Sequence, residues 1–405
     1  MIERARELDA EDPLAEYRER FDLPEEVIYL DGNSLGALPK ATSARVQKVM
    51  HEEWGSGLIR SWNDADWIGL PQRIGAKIAP LIGAHPQEVI VADSVSVNLF
   101  KLIAAALAMR PGRRTILSEP GNFPTDLYMI EGLEAQGVAR QKLAPRDRLA
   151  EALDGDVALL LLTHAHYKTG ELFDMHALTK AAHDAGALVL WDLSHSVGAL
   201  PVRLSDCEAD FAVGCGYKYL NGGPGAPAFA YVGRRHIDAV QQPLCGWMGH
   251  KEPFQFTDEY APAPGIERLL VGTPPILSMA ALEVGVDLMA EIGVERLYEK
   301  SKALSEFFRA CLAERGVELR LISPTDPDRR GSQLSFRHQH AYAISQALIA
   351  RDVIGDFRDP DILRLGFAPA YLRFEDIAEA ARHLTEVLDS EEWRDERFQA
   401  RAAVT

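Results

Sequence analysis

Residues 186–230, GALVLWDLSHSVGALPVRLSDCEADFAVGCGYKYLNGGPGAPAFA, constrain the chain more than any other stretch. Residues 186–191 are apolar without alternation, the pattern of a parallel strand covered on both faces. Residues 211–215, FAVGC, repeat that pattern. The first run ends in Asp192, and the second is followed by Lys218 between Tyr217 and Tyr219. Open α/β sheets gather their ligands at the carboxyl ends of parallel strands. Two strands therefore deliver a carboxylate and an amine to one edge. An amine so placed can form a Schiff base with the aldehyde of pyridoxal phosphate. The carboxylate can keep a pyridine nitrogen protonated, so that the ring draws electrons from a bound substrate. The turn at 221–225, NGGPG, lets the backbone pass close beside the lysine. Taken singly, Lys218 reads as a turn lysine and Asp192 as a helix cap; the pairing favours the cofactor.

The rest of the chain sets the frame. At 405 residues it exceeds one compact core, so two domains, or a large α/β domain with an appendage, are expected. A formal charge of −17 argues against nucleic acid or an anionic membrane as the main partner. The four cysteines show no CxxC pairing, as in a protein of a reducing cytosol. Residues 1–21 are charged and helical with no apolar signal core, and no stretch reaches a membrane span. A cytoplasmic protein is expected.

Taken in order, residues 27–30 form a strand followed by the turn DGNSLG at 31–36, and Pro39 opens a helix running to about Trp54. Trp62 lies in a loop before a helix near Pro71. Residues 89–93 form a strand, and the serine-rich junction at 94–98 leads into a helix through Met109. Such a junction points free amides and hydroxyls at an anion, here the phosphate of the cofactor. A strand at 114–118 precedes FPTD at 123–126, a turn and helix start. Residues 156–163 are the clearest buried strand, ending in Thr163 and then His164 and His166. Two histidines on one strand face can bind metal, but nothing nearby completes a site. They read as hydrogen-bonding groups, and no metal is expected. Residues 276–313 read as helical. The remainder mixes shorter helices and strands, with Arg364 inside an apolar strand, where an unpaired guanidinium is costly.

Several of these segments together resemble kynureninases. They are YLDGNSLG at 29–36, WDLSH at 191–195, GYKYLNGGPG at 216–225, the FPTD turn, LCGWMGH at 244–250, GIERLLVGTPP at 265–275 and DILRLGFAP at 361–369. Each is weak alone; their joint occurrence in order, from Asp31 to Pro369, is specific. The resemblance implies the fold-type I class of pyridoxal phosphate enzymes. That class has a large domain with a mostly parallel seven-stranded sheet sandwiched by helices, and a smaller α+β domain. The division expected here is residues 56–285 for the large domain and 286–405 for the small one, completed by residues 1–55. The implied reaction splits L-kynurenine with water into anthranilate and L-alanine, as in tryptophan breakdown.

Residue by residue, the resemblance makes Lys218 the cofactor lysine and proton mover, and Asp192 the partner of the pyridine nitrogen. Tyr217 becomes a phosphate partner and proton mover. Val95 and Ser96 are placed at the phosphate, and Phe123, Asp126, Thr163 and His195 beside the cofactor. Trp247 and Thr273 reach the neighbouring subunit's cofactor phosphate in a homodimer. Arg364 grips the substrate α-carboxylate, its alternative being an internal salt bridge, and Trp62 faces the aminophenyl ring. Kynureninases that favour 3-hydroxykynurenine tend to carry histidine and asparagine where Trp62 and Thr273 stand, so plain kynurenine is the expected substrate. Two alternatives stand beside this reading. One is a cysteine desulfurase or selenocysteine lyase, although no cysteine follows Cys311 to serve a mobile loop. The other is a catalytically silent relative that binds only the cofactor.

Overall fold

The computed structural model describes residues 1–401. Seven strands form the central sheet: β1 (Val89–Val91), β2 (Thr115–Ser118), β3 (Arg140–Leu143), β4 (Val157–Thr163), β5 (Leu188–Asp192), β6 (Phe211–Cys215) and β7 (Ala228–Val232). Their spatial order is β1-β7-β6-β5-β4-β2-β3. Only β7 runs against its neighbours; the other pairings along β6-β5-β4-β2-β3 are parallel. Every residue of β4, β5 and β6 is buried, which is why these strands are apolar without alternation. Successive side chains still point to opposite faces. Leu160, Leu162, Val189 and Trp191 join one core, whereas Leu159, Leu161, Leu188 and Leu190 join the other. The helix Val95–Met109 covers the second face through Leu99, Leu102 and Ile103. Edge strand β3, RQKL, is paired on one side and largely solvated, so it carries no apolar signature.

The smaller sheet contains β8 (Arg320–Leu321), β9 (Gln333–Arg337), β10 (Asp356–Arg358) and β11 (Ile362–Gly366), antiparallel in the order β8-β9-β11-β10. The amino-terminal segment is built into this part of the chain. The Asp9 carboxylate, in helix Ile2–Ala10, accepts hydrogen bonds from the amides of Phe374 (2.7 Å) and Glu375 (2.9 Å), capping helix Phe374–Ser390. The short strand Ile28–Tyr29 pairs in parallel with Val353–Ile354.

Two helical expectations change. The span from 276 to 313 is two helices, Ile276–Ile292 and Val294–Glu314, separated at Gly293 with φ +89°, a conformation that glycine adopts without steric cost. The helix expected from Pro39 is α-helical over Lys40–Lys48 and continues as a wider π-helical segment, Val49–Gly57. Trp62 lies in the short helix Ser61–Asp64 rather than in a loop. No helix among the described residues is long and apolar enough to cross a membrane.

Candidate active site

The parallel strands end together, and their carboxyl ends supply the site. Thr163, the last residue of β4, stands in register with Asp192, the last of β5. Lys218 follows β6 by three residues. Its Nζ lies 3.0 Å from His195 Nε2, 5.7 Å from the centre of the Phe123 ring and 5.9 Å from that of Tyr217. A cavity of about 250 Å³ is lined by Asp192, His195, Tyr217 and Lys218, and also by Val95, Ser96, Phe123 and Thr163. Ser94 caps the helix that begins there, its Oγ accepting from the Val97 amide at 3.4 Å. That helix start places Val95 and Ser96 on the cavity wall, as an anion site requires.

Two carboxyls are buried at this cavity, Asp192 on its wall and Asp126 behind Thr163. Asp126 is fully buried and Asp192 is 2% exposed. Burial pushes both carboxyls up, and for Asp126 the charge on Asp192 adds to the effect. The Ser194 amide donates to Asp192 Oδ1 at 2.7 Å and, with Lys218, opposes the rise. Thr163 Oγ1 lies 2.5 Å from Asn122 Oδ1 and 3.1 Å from Asp126 Oδ2. Asp126 Oδ1 and His195 Nδ1 are buried without a hydrogen-bond partner. Burial lowers both Lys218 and His195, the nearby lysine adding to the effect on His195. A buried lysine weakened as an acid holder is a better nucleophile near neutrality. Two buried carboxyls near one lysine, with Asp126 Oδ1 and His195 Nδ1 left without partners, fit a flat cationic ring carrying an N–H. The pyridine of pyridoxal phosphate is a ring of that kind.

Sequence reasoning thus finds Lys218, Asp192, Tyr217, Val95, Ser96, Phe123, Thr163 and His195 on one cavity, with Asp126 hydrogen-bonded behind it. The imidazole of His195 meets Lys218, and the Ser194 amide orients Asp192. His164 and His166 bond Ser196 Oγ (2.9 Å) and the Gly121 carbonyl (3.0 Å). Among the described residues no group of three or more His, Cys, Asp or Glu is arranged to hold a metal. Four further candidates, Trp62, Trp247, Thr273 and Arg364, do not line this cavity. Trp62 packs edge-on against Trp67, with ring centres 6.1 Å apart. Trp247 lies against Phe254 and Phe256, and Thr273 is exposed.

Arg364 is 1% exposed and held in an internal ion pair. Its Nε donates to Asp356 Oδ1 at 2.8 Å and its Nη2 to Asp356 Oδ2, directly across the β10–β11 pairing. Nη1 donates to the Tyr167 carbonyl at 2.7 Å, and the Tyr167 ring meets Phe123 edge-on at 5.3 Å. The DGNSLG turn wraps the same guanidinium. Ser34 Oγ accepts from Nη2 at 2.9 Å, and the Asn33 amide oxygen, turned to satisfy both groups, accepts from Nε and Nη2 at 2.9 and 3.0 Å. The turn also touches the lysine segment: the Gly36 amide donates to the Tyr217 carbonyl at 2.8 Å, and a Cβ at Gly36 would collide with the Lys218 carbonyl. Arg358 joins through Asp356 Oδ2 at 2.6 Å. Both arginines lower Lys218 electrostatically. Asn33, Ser34, Asp356 and Arg358 were not singled out by sequence; only the DGNSLG string offered a signal.

The arrangement is that of a fold-type I pyridoxal phosphate enzyme. The fold aligns with the apo cysteine desulfurase of Thermococcus onnurineus NA1 at a TM-score of 0.80, covering 93% of this chain and 98% of that one at 19% identity. The cysteine desulfurase CsdA of Escherichia coli aligns at 0.79, over 93% and 98% of the two chains, with 18% identity. Sequence comparison is more specific. The chain is 52% identical to a kynureninase of Burkholderia mallei over all of its own length and 99% of that protein. It is 49% identical to a kynureninase of Pseudomonas fluorescens over 98% of each. Residues 297–384 match the family described as the kynureninase C-terminal domain. The chain belongs to the kynureninase family.

Proposed function

We propose that this protein hydrolyses the Cβ–Cγ bond of L-kynurenine to give anthranilate and L-alanine. The observation that carries the reading is that Lys218 and Asp192 line one cavity at the carboxyl edge of the sheet, in a chain of this family. Bound pyridoxal phosphate supplies an electron sink for a carbanion at the substrate α-carbon. Lys218 holds the cofactor aldehyde through Nζ and, once released, moves the α-proton. Asp192, fixed by the Ser194 amide, keeps a proton on the pyridine nitrogen. Asp126 and Thr163 support that buried charge. Val95 and Ser96 hold the phosphate at the helix start, with the Tyr217 hydroxyl as a further donor. Phe123 offers its ring to the pyridine. His195, kept neutral by burial, meets the lysine amine without adding a second positive charge. One water is consumed, and its oxygen leaves in the anthranilate carboxylate.

Arg364 carries the substrate α-carboxylate in this reading, the planar guanidinium fork being suited to a carboxylate. Trp62 and Thr273 bear on the substrate ring, and neither offers the imidazole or amide that would suit a ring hydroxyl. An unmatched buried hydroxyl is disfavoured. Assayed side by side, kynurenine is therefore expected to exceed 3-hydroxykynurenine in kcat/KM by about tenfold or more. A clear preference for the hydroxylated substrate contradicts the assignment of Trp62 and Thr273.

The protein acts as a homodimer in this reading, with Trp247 and Thr273 reaching the partner's cofactor. The support is apolar surface that one chain leaves uncovered: Phe256 is 74% exposed beside Trp247, and Ile59 is 76% exposed. Light scattering of the holoenzyme is expected to give twice the chain mass. A monomer that retains full activity overturns the trans roles of both residues.

A further inference from the structure

Lys101, in the helix Val95–Met109, is completely buried and stands outside the lining of the cofactor cavity. A buried ammonium is tolerated only when it is paired and hydrogen-bonded. Its Nζ donates to the Asp93 carboxylate, to the Leu269 carbonyl at 2.7 Å and to Asn98 Oδ1 at 3.5 Å. Asn98, also completely buried, donates from Nδ2 to the Ala92 carbonyl at 2.8 Å. Two side chains of the helix thus reach back to the residues that leave β1. The bend there needs fastening. Asp93 has φ +49°, a left-handed backbone that a residue with a Cβ adopts at a cost. It directly precedes Ser94, Val95 and Ser96, which line the cavity. On its other side it is held to β7, its carbonyl accepting from the Ala228 amide at 2.9 Å. Where the helix start faces the cavity is therefore set by this bend. Leu269 extends the clamp to a second segment. It is buried at the end of the helical turn Gly265–Leu269. Just beyond it the Val271 carbonyl accepts from the amide of Met248, the neighbour of Trp247, at 3.2 Å.

We propose that Lys101 is a positioning residue for the cofactor phosphate: by tying Asp93 to Leu269 it sets the place of Val95 and Ser96 at the helix start. This rests on the reading of Val95 and Ser96 as the phosphate seat. Lys101 and Asp93 carry no net charge as a pair, so their contribution is the placement of donors rather than attraction of the anion. Hydrogen bonds weaken steeply once donor and acceptor lose alignment, and a helix start freed from its strand loses it. The effect therefore falls on the phosphate and leaves the aldehyde, which meets Lys218 on another strand end, untouched.

The test compares pyridoxal phosphate with pyridoxal, which lacks the phosphate. Full-length protein stripped of cofactor is titrated with each, and binding is followed by the absorption of the lysine-bound aldehyde. The wild type is expected to prefer the phosphorylated ligand. In Lys101→Met the Kd for pyridoxal phosphate is expected to rise about tenfold or more, while that for pyridoxal stays within about twofold. That variant leaves Asp93 charged and unpaired, so Lys101→Met is also combined with Asp93→Asn. Asparagine tolerates the same backbone, and no charge remains to repel a phosphate. The double variant is expected to show the same selective loss, and it decides alone if the single variant fails to fold. Equal weakening of both ligands in the double variant marks general damage and overturns the proposal. So does a double variant that prefers pyridoxal phosphate as strongly as wild type, which makes Lys101 a charge partner only. A different failure marks the underlying reading: a wild type that binds pyridoxal as tightly as pyridoxal phosphate has no phosphate seat at Val95 and Ser96, and the proposal falls with it.

Discussion

Replacing Lys218 by alanine is expected to abolish visible absorption from lysine-bound cofactor and to lower turnover of kynurenine by at least ~10³-fold. The side chain is 8% exposed, with its amine 3.0 Å from His195 Nε2. Among the described residues no other lysine lines that cavity, so no neighbouring amine replaces it. Lys218→Arg separates charge from chemistry. The guanidinium keeps a cation beside Asp192 and Asp126 but cannot give a free amine near neutral pH. It should hold the fold as well as wild type and remain inactive. Spectra and product assays of both variants check this; appreciable activity in either one removes Lys218 from the reaction.

The second large effect is on stability. Arg364→Met is expected to destabilise the protein by about 3 kcal/mol, the cost of stranding a buried carboxylate. Asp356 loses both bonds from Arg364 and keeps only Arg358 and Ser34. Asp31 loses the cation that opposes its protonation. Adding Asp356→Asn to Arg364→Met removes the stranded charge and should restore much of the stability, but not the affinity for substrate. Denaturant unfolding of the single and double variants, with KM measured alongside, checks both parts. A single variant as stable as wild type contradicts the ion-pair account. A double variant that recovers a normal KM contradicts the role of Arg364 in binding.

Legibility in the sequence divides along physical lines. Asp192 and Lys218 were readable because β5 and β6 are buried on both faces, so their apolar runs mark where each strand ends and which polar residues come next. The serine-rich junction at 94–98 was readable because a strand-to-helix junction exposes its own amides, and the resemblance picked Val95 and Ser96 out of it. Strand β3 was not, since an edge strand paired on one side needs no apolar residues. The Arg364 cluster was hidden for another reason. Asp356 meets Arg364 only through the register of β10 on β11, and Asn33 and Ser34 reach it only because the amino-terminal turn docks some 330 residues away in the chain. Pairing across strands and docking of distant turns leave no local pattern. The resemblance marked Arg364 itself; its partners came from geometry.

The central claim, that Lys218 and Asp192 make this chain a pyridoxal phosphate hydrolase of kynurenine, is tested most directly by one experiment. Purified protein loaded with the cofactor is followed by visible absorption and by anthranilate fluorescence as L-kynurenine is added. The account predicts a coloured protein whose spectrum changes on mixing and which releases anthranilate and alanine in equal amounts. A coloured protein that leaves kynurenine intact contradicts the assigned reaction, and a protein that takes up no pyridoxal phosphate contradicts the site itself.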